Sequence, residues 1–187
     1  LNKNLIISFN GEIYNHLQIR DKINKIKNFK WRSNSDTETL LVSIETFGIE
    51  ETLENIVGMF AFALIDKNKN KLILARDING EKPLYYGSVG SSFIFGSEIK
   101  ALTCFPGFKK NLNFEALNIF LDYSYIPEPY SIFENTFKLE KSSYLQFDLL
   151  SKKIDKIKNY NSSNKIEIYK NSVNINYICL LYTSDAA

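Results

Sequence analysis

Between Gly58 and Ser97 the chain sets apolar runs between turn signals with almost no interruption, and no other stretch restricts the fold as much. Met59-Phe60-Ala61-Phe62-Ala63-Leu64-Ile65 is followed by the polar segment Lys67 to Asn70 and then by Lys71-Leu72-Ile73-Leu74-Ala75, the pattern of two strands joined in a hairpin. Asn79-Gly80 and Val89-Gly90 bracket the run from Pro83 to Gly87, and Ser92 to Gly96 closes the series. The spacing predicts one run of consecutive antiparallel strands. Because Met59 to Ile65 is apolar at successive rather than alternate positions, that strand is expected to be buried on both faces. A sheet covered on both faces lies inside a layered architecture, so the fold class is α+β, with helices stacked on sheet.

The helices flank this series. Leu5 to Phe9 reads as an opening strand that ends at the turn pair Asn10-Gly11, and Leu17, Ile19, Ile23 and Ile26 recur at mostly helical intervals between Tyr14 and Lys27. Ser35-Asp36-Thr37-Glu38 has the form of a capping box. Leu40, Leu41, Ile44 and Phe47 continue that helix, and Gly48 is placed to end it. A short helix around Glu50 to Ile56 follows. After the strands, Glu98 to Thr103 and Phe114 to Tyr123 read as helices, the second stopped by Pro127 and Pro129. Beyond Ser151 the composition turns to Lys, Asn and Ile, and residues 151–178 read as a connector holding at most one strand.

A chain of 187 residues, 44% hydrophobic and 24% charged, has room for one domain and the start of another and enough apolar side chains for a core. Its 23 Lys plus Arg against 21 Asp plus Glu leave a formal charge of +2, too small to mark a nucleic-acid groove or a membrane patch. No apolar run approaches the roughly 20 residues that span a bilayer. Cys104 and Cys179 are too few and too far apart for a disulfide framework or a zinc site, so the expected compartment is the cytoplasm. His16, the sole histidine, cannot make a metal site alone and reads as a surface residue. The chain begins at Leu1, and residues 179–187 resemble a translated sequencing adapter. An internal piece of a longer protein is the expectation.

Five motifs stand in order: Phe9-Asn10-Gly11-Glu12-Ile13-Tyr14-Asn15, Ser35-Asp36-Thr37-Glu38, Gly58-Met59-Phe60-Ala61-Phe62, Arg76-Asp77 through Lys82-Pro83-Leu84-Tyr85-Tyr86, and Gly96-Ser97-Glu98-Ile99-Lys100-Ala101-Leu102. Together, over about residues 4–148, they resemble the glutamine-hydrolysing asparagine synthetases. The resemblance implies a class II glutamine amidotransferase domain over residues 1–150. It also implies a four-layer αββα sandwich of the N-terminal-nucleophile hydrolase type, incomplete here because its first strands would precede Leu1. Asn10, through its side-chain amide, and Gly11, through its backbone N–H, look like the oxyanion hole for the tetrahedral intermediate at the glutamine carboxamide. Preorganised donors of this kind are worth about 3 kcal/mol each in a transition state. Gly11 would allow close backbone approach, where a side chain would crowd the substrate. Glu12 falls in the same substrate-binding stretch, and Asp36 resembles the carboxylate that pairs with the glutamine α-ammonium. Asp36 would equally favour its own helix dipole.

The Arg76 to Tyr86 motif reads as scaffold, with adjacent tyrosines on alternate strand faces. Ser97-Glu98 lacks the spacing of a hydrolase nucleophile elbow. Class II amidotransferases attack with a cysteine at the first position of the mature chain, using its own α-amine as base. Cys104 has no such amine, and the upstream arginine that holds the substrate carboxylate is also missing, so the chain alone is expected to release no glutamate. The resemblance further implies an ATP- and Mg²⁺-dependent synthetase half that amidates aspartate, whose site would lie outside this chain, and a homodimer as an option for the complete enzyme. No metal or cofactor is expected within these residues. The alternatives are another class II amidotransferase, or a catalytically dead glutamine-binding module. Where the family usually has Pro-Gly before a strand, this chain has Lys141-Ser142-Ser143, which removes a φ-permissive turn residue ahead of Tyr144 to Leu149.

Overall fold

The computed structural model describes residues 4–160. Thirteen elements run in the order β1 (Leu5–Ile13), α1 (His16–Ile26), α2 (Asp36–Phe47), α3 (Ile49–Asn55), β2 (Gly58–Asp66), β3 (Lys71–Arg76), β4 (Tyr85–Val89), β5 (Ser92–Gly96), α4 (Ile99–Thr103), α5 (Phe114–Tyr123), β6 (Thr136–Lys138), β7 (Ser143–Asp148) and β8 (Lys153–Asn159). They form two antiparallel sheets. One has five strands in the order β1-β2-β3-β7-β8, and the other has three in the order β5-β4-β6.

The expected single run of strands from Gly58 to Ser97 therefore divides between two sheets, and the division has a local cause. At the end of β3 the buried Asp77 carboxylate accepts the backbone N–H groups of Phe60, Asn79, Glu81 and Lys82 at 3.0–3.3 Å. Beside it the buried Arg76 donates to the carbonyls of Lys82 and Leu139 at 2.7 Å, and also to the Gly80 carbonyl and the Glu128 carboxylate. Two charged side chains thus satisfy backbone groups of residues 79–82 where the chain leaves one sheet for the other, which a turn without them would leave unpaired in the interior.

The layering follows from which face each strand buries. On the outer face of the larger sheet, Ile13, Phe60, Phe62, Leu64 and Ile73 pack against Ile19 and Ile23 of α1 and Leu40 and Ile44 of α2. On the inner face, Ala61, Ala63, Leu72, Leu74, Leu145 and Phe147 meet Leu84 and Tyr86 of the smaller sheet. The rings of Phe93 and Phe147 stack across the two sheets at 4.2 Å. With Tyr86 pointing inward, Tyr85 points outward, where it lines a shallow cleft with Phe120 of α5 and Tyr125. Gly96 lies under Leu102 of α4, whose Cδ1 a Cβ would meet at 3.1 Å. Helices, sheet, sheet, helices is the resulting order, the four-layer α+β plan.

Several local expectations need correction. Glu38 does not close the capping box. Ser35 Oγ accepts the Thr37 N–H at 3.1 Å, but Glu38 reaches the backbone N–H groups of Arg32 and Ser33, not that of Ser35. His16 opens α1 as expected but is half-buried, with Nδ1 enclosed and unpartnered among the described residues. β6, three residues long, carries no periodicity that a sequence could reveal. Residues 153–159 form the strand β8 along β7, in keeping with the one strand that the 151–178 segment was expected to hold, and carry the sheet past residue 150. The rest of the expected connector and the 179–187 tail lie outside the described residues.

Candidate functional site

The candidate residues gather at the C-terminal end of β1, and the strand pairing decides where each of them points. β1 pairs only with β2 among the described residues, with Asn10 opposite Ala61, Gly11 opposite Phe60 and Ile13 opposite Gly58. Phe60 turns both of its backbone groups toward β3, since its carbonyl accepts the Asp77 N–H at 2.8 Å and its N–H meets the Asp77 carboxylate. In an antiparallel pair a residue opposite such a position is not hydrogen-bonded to it. The N–H of Gly11 therefore points away from β2, toward the other edge of β1. Ile13 shares that parity and direction, and its N–H is taken by Asp36 Oδ2 at 2.9 Å.

Asp36 is thereby tied to the edge of β1 that also carries the Gly11 N–H. Two residues along a strand span about 7 Å, so a donor and a carboxylate stand roughly that far apart on one edge. Asp36 is half-buried at the first position of α2; Oδ1 accepts the Thr37 N–H at 2.7 Å. A carboxylate has about four lone-pair positions, so acceptor capacity remains for a further donor.

Asn10 and Glu12 project from the inner face of β1, the face that carries Ala61 and Ala63 on the neighbouring strand. Both are exposed. Asn10 Nδ2 donates to Ser97 Oγ at 3.1 Å, a contact between residues 87 positions apart that joins the two sheets. The Glu12 side chain makes no hydrogen bond or ion pair among the described residues. Gly11 has φ +147°, and a Cβ there would lie 2.1 Å from the Met59 carbonyl oxygen. The crowding that forbids a side chain comes from β2, where a bound substrate was expected to supply it. Gly58 reciprocates, since its Cβ would lie 2.1 Å from the Glu12 carbonyl oxygen. The Gly58 motif thus belongs to the site as the surface against which the Asn10-Gly11-Glu12 strand lies.

One contributor escaped the sequence reading. Arg20 of α1, buried, donates to the carbonyls of Ser33 and Ser35 at 2.9 and 2.8 Å and to Thr39 Oγ1 at 2.7 Å, and its guanidinium lies over the Trp31 ring at 4.2 Å. It fixes the loop that delivers Asp36. The signal was available: Arg20 lies three residues before Ile23 and hence on the buried stripe of α1. Glu38 anchors the same loop from the other side. Burial pushes its carboxyl up, and the hydrogen bonds from Arg32 and Ser33, with nearby Arg20, outweigh that and hold it below its ordinary value.

Among the described residues no cluster of His, Cys, Asp or Glu could hold a metal ion, and no helix is long and apolar enough to cross a membrane. Cys104, the one described cysteine, is exposed at the end of α4, where its thiol donates to the Lys100 carbonyl at 3.4 Å.

Two facing antiparallel sheets between helix layers, with the Gly11 N–H and the Asp36 carboxylate on one edge of β1, make the four-layer plan of the N-terminal-nucleophile fold. The chain belongs to the glutamine amidotransferase domain family, whose model matches residues 1–160. Among its relatives are asparagine synthetase (glutamine-hydrolyzing) 1 of Bacillus subtilis, 36% identical over 73% of this chain and 21% of its own, and asparagine synthetase 2 of the same organism, 37% identical over 78% of this chain and 20% of its own. A Methanocaldococcus jannaschii protein provisionally named asparagine synthetase (glutamine-hydrolyzing) 2 is 38% identical over 81% of this chain and 29% of its own. The chain thus spans less than a third of the length of these relatives. In structure it is similar to the glutamine phosphoribosylpyrophosphate amidotransferase of B. subtilis, with a TM-score of 0.58 at 20% identity, covering 87% of this chain and 30% of that one.

Proposed function

We propose that this domain binds L-glutamine along the edge of β1 that faces away from β2 and forms the glutamine-hydrolysing part of a cytoplasmic asparagine synthetase. The observation that carries this reading is the hydrogen bond from the Ile13 N–H to Asp36 Oδ2, which puts a carboxylate on the edge that also bears the Gly11 N–H. The substrate α-ammonium pairs with Asp36, with Glu12 adding negative charge from the inner face. The carboxamide oxygen lies between the Gly11 N–H and the Asn10 amide. When a thiolate attacks the carboxamide carbon, negative charge moves onto that oxygen, and both donors are already in place to receive it. The ammonia released would amidate aspartate in a further part of the enzyme. ATP and Mg²⁺ would serve there.

Titration of the ¹⁵N-labelled chain with L-glutamine tests the reading, with glutaramate, which lacks the α-amine, as control. A charged hydrogen bond contributes about 1.5–3 kcal/mol, so Asp36→Asn is expected to weaken L-glutamine binding roughly tenfold or more and leave glutaramate almost unaffected. Equal losses for both ligands would refute the assignment of Asp36.

A further inference from the structure

An asparagine side chain near a strand edge can present either end of its amide, because the last torsion is broad and two-fold. Only the NH₂ end can stabilise a developing oxyanion; the carbonyl end would repel it. Something must select the orientation, and Asn10 is exposed, so packing does not. The hydrogen bond from Asn10 Nδ2 to Ser97 Oγ at 3.1 Å is the contact that can.

We propose that Ser97 is a positioning residue for Asn10, holding the amide with NH₂ toward the site. This rests on the assignment of Asn10 to the oxyanion hole. An amide nitrogen carries two hydrogens. Ser97 takes one, which fixes the amide plane and leaves the second free to donate. Ser97 is itself well placed to hold still, because it lies between Gly96, packed under Leu102, and α4, where the Ala101 N–H donates to the Glu98 carbonyl at 3.1 Å. The serine of the Gly96 to Leu102 motif, which has no place in a hydrolase elbow, thereby acquires a function. It ties the smaller sheet to the oxyanion donor of the larger one.

The probe is L-glutamate, whose γ-carboxylate brings a negatively charged oxygen to the donors, with NMR of the ¹⁵N-labelled chain as the readout. In Ser97→Ala the Asn10 side-chain amide resonances are expected to shift toward those of a free amide, and L-glutamate binding to weaken about fivefold, as for the loss of one ordinary hydrogen bond. Ser97→Thr, which keeps the hydroxyl, restores both. If Asn10→Ala weakens binding while Ser97→Ala changes neither resonances nor affinity, the role of Ser97 is refuted and that of Asn10 stands. If Asn10→Ala leaves L-glutamate binding intact, the oxyanion assignment fails and takes this proposal with it. Should Ser97→Ala not fold, the unaltered chain still decides: one Asn10 side-chain hydrogen exchanges with solvent more slowly than its counterpart in a free asparagine amide if Ser97 holds it, and both match the free amide if it does not.

Discussion

Gly11 and Ser142 both take positive φ, one as a glycine and one in spite of a side chain. At Gly11, φ +147° and the Met59 carbonyl 2.1 Å from any Cβ leave no substitute. Ser142, in the Lys141-Ser142-Ser143 stretch that stands where the resemblance implies Pro-Gly, adopts φ +58° itself. Its N–H donates to the Asp77 carbonyl at 2.8 Å and its carbonyl accepts the Tyr160 N–H at 2.8 Å, so the turn is made and β7 starts at the next residue. The side chain gains nothing from this position. Ser142 is buried, and its Oγ has no hydrogen-bond partner among the described residues. Ser142→Gly removes both the strained conformation and the unsatisfied hydroxyl, and is expected to stabilise the domain by about 1 kcal/mol after the larger unfolded-state entropy of glycine is counted. Urea unfolding measures it; a decrease in stability would contradict the account of that turn.

At the level of elements, α3 and β8 meet through charge. Glu50 of α3 accepts hydrogen bonds from Lys156 at 2.9 Å and Lys158 at 2.7 Å and also pairs with the Tyr144 hydroxyl. The hydrogen bond from Lys158 comes first, then those from Tyr144 and Lys156, in pulling the Glu50 carboxyl from its ordinary 4.5 to about 2. A depressed carboxyl stabilises the fold above its unfolded value, so this contribution is complete above pH 4.5 and fades as the pH falls toward 2. With Glu50 and both lysines largely exposed, salt screens the cluster. The expected outcome is that amide exchange in β8 accelerates between pH 4.5 and 2, after correction for intrinsic rates, and that Glu50→Gln shows the faster exchange already at neutral pH.

These elements differ in how far a sequence could foretell them. The helices and the strands β2 to β5 were legible because apolar spacing and glycine punctuation are local signals, whereas Asn10-Gly11, expected as the turn that ends β1, lies inside that strand, which runs on to Ile13 paired with β2. The split into two sheets was implied by the resemblance to a four-layer sandwich but not by the local pattern, because it depends on Arg76 and Asp77 satisfying backbone groups that include distant segments. Likewise Asn10, Gly11, Glu12 and Asp36 could be picked out by their motifs, but nothing local says that Asn10 meets Ser97 or that Asp36 holds the Ile13 N–H. For Arg20 the helical spacing from Ile23 marked a buried position, but nothing local names its partners, the carbonyls of Ser33 and Ser35, the Thr39 hydroxyl and the Trp31 ring.

Across the whole molecule the junction between the sheets hangs on few groups. Arg76, 4% exposed, joins the end of β3 to the carbonyls of Gly80, Lys82 and Leu139 and to Glu128. Arg76→Ala leaves those carbonyls and the Glu128 carboxylate without their donor, and breaking a buried ion pair in this way costs about 3–5 kcal/mol. Chemical denaturation should register a loss of that size, with Glu128→Gln in the same background recovering part of it. A loss below about 1 kcal/mol would mean that water replaces the guanidinium there without difficulty.

The bond between Asn10 and Ser97 also bears on how the domain comes together in time. Its ends are 87 positions apart, and contacts of such separation form late, after loop closure has been met by other interactions. β1 and β2 can associate, and Asp36 can reach Ile13, before β5 arrives. A refolding chain would thus seat Asp36 against the edge of β1 early and tie Asn10 to Ser97 last.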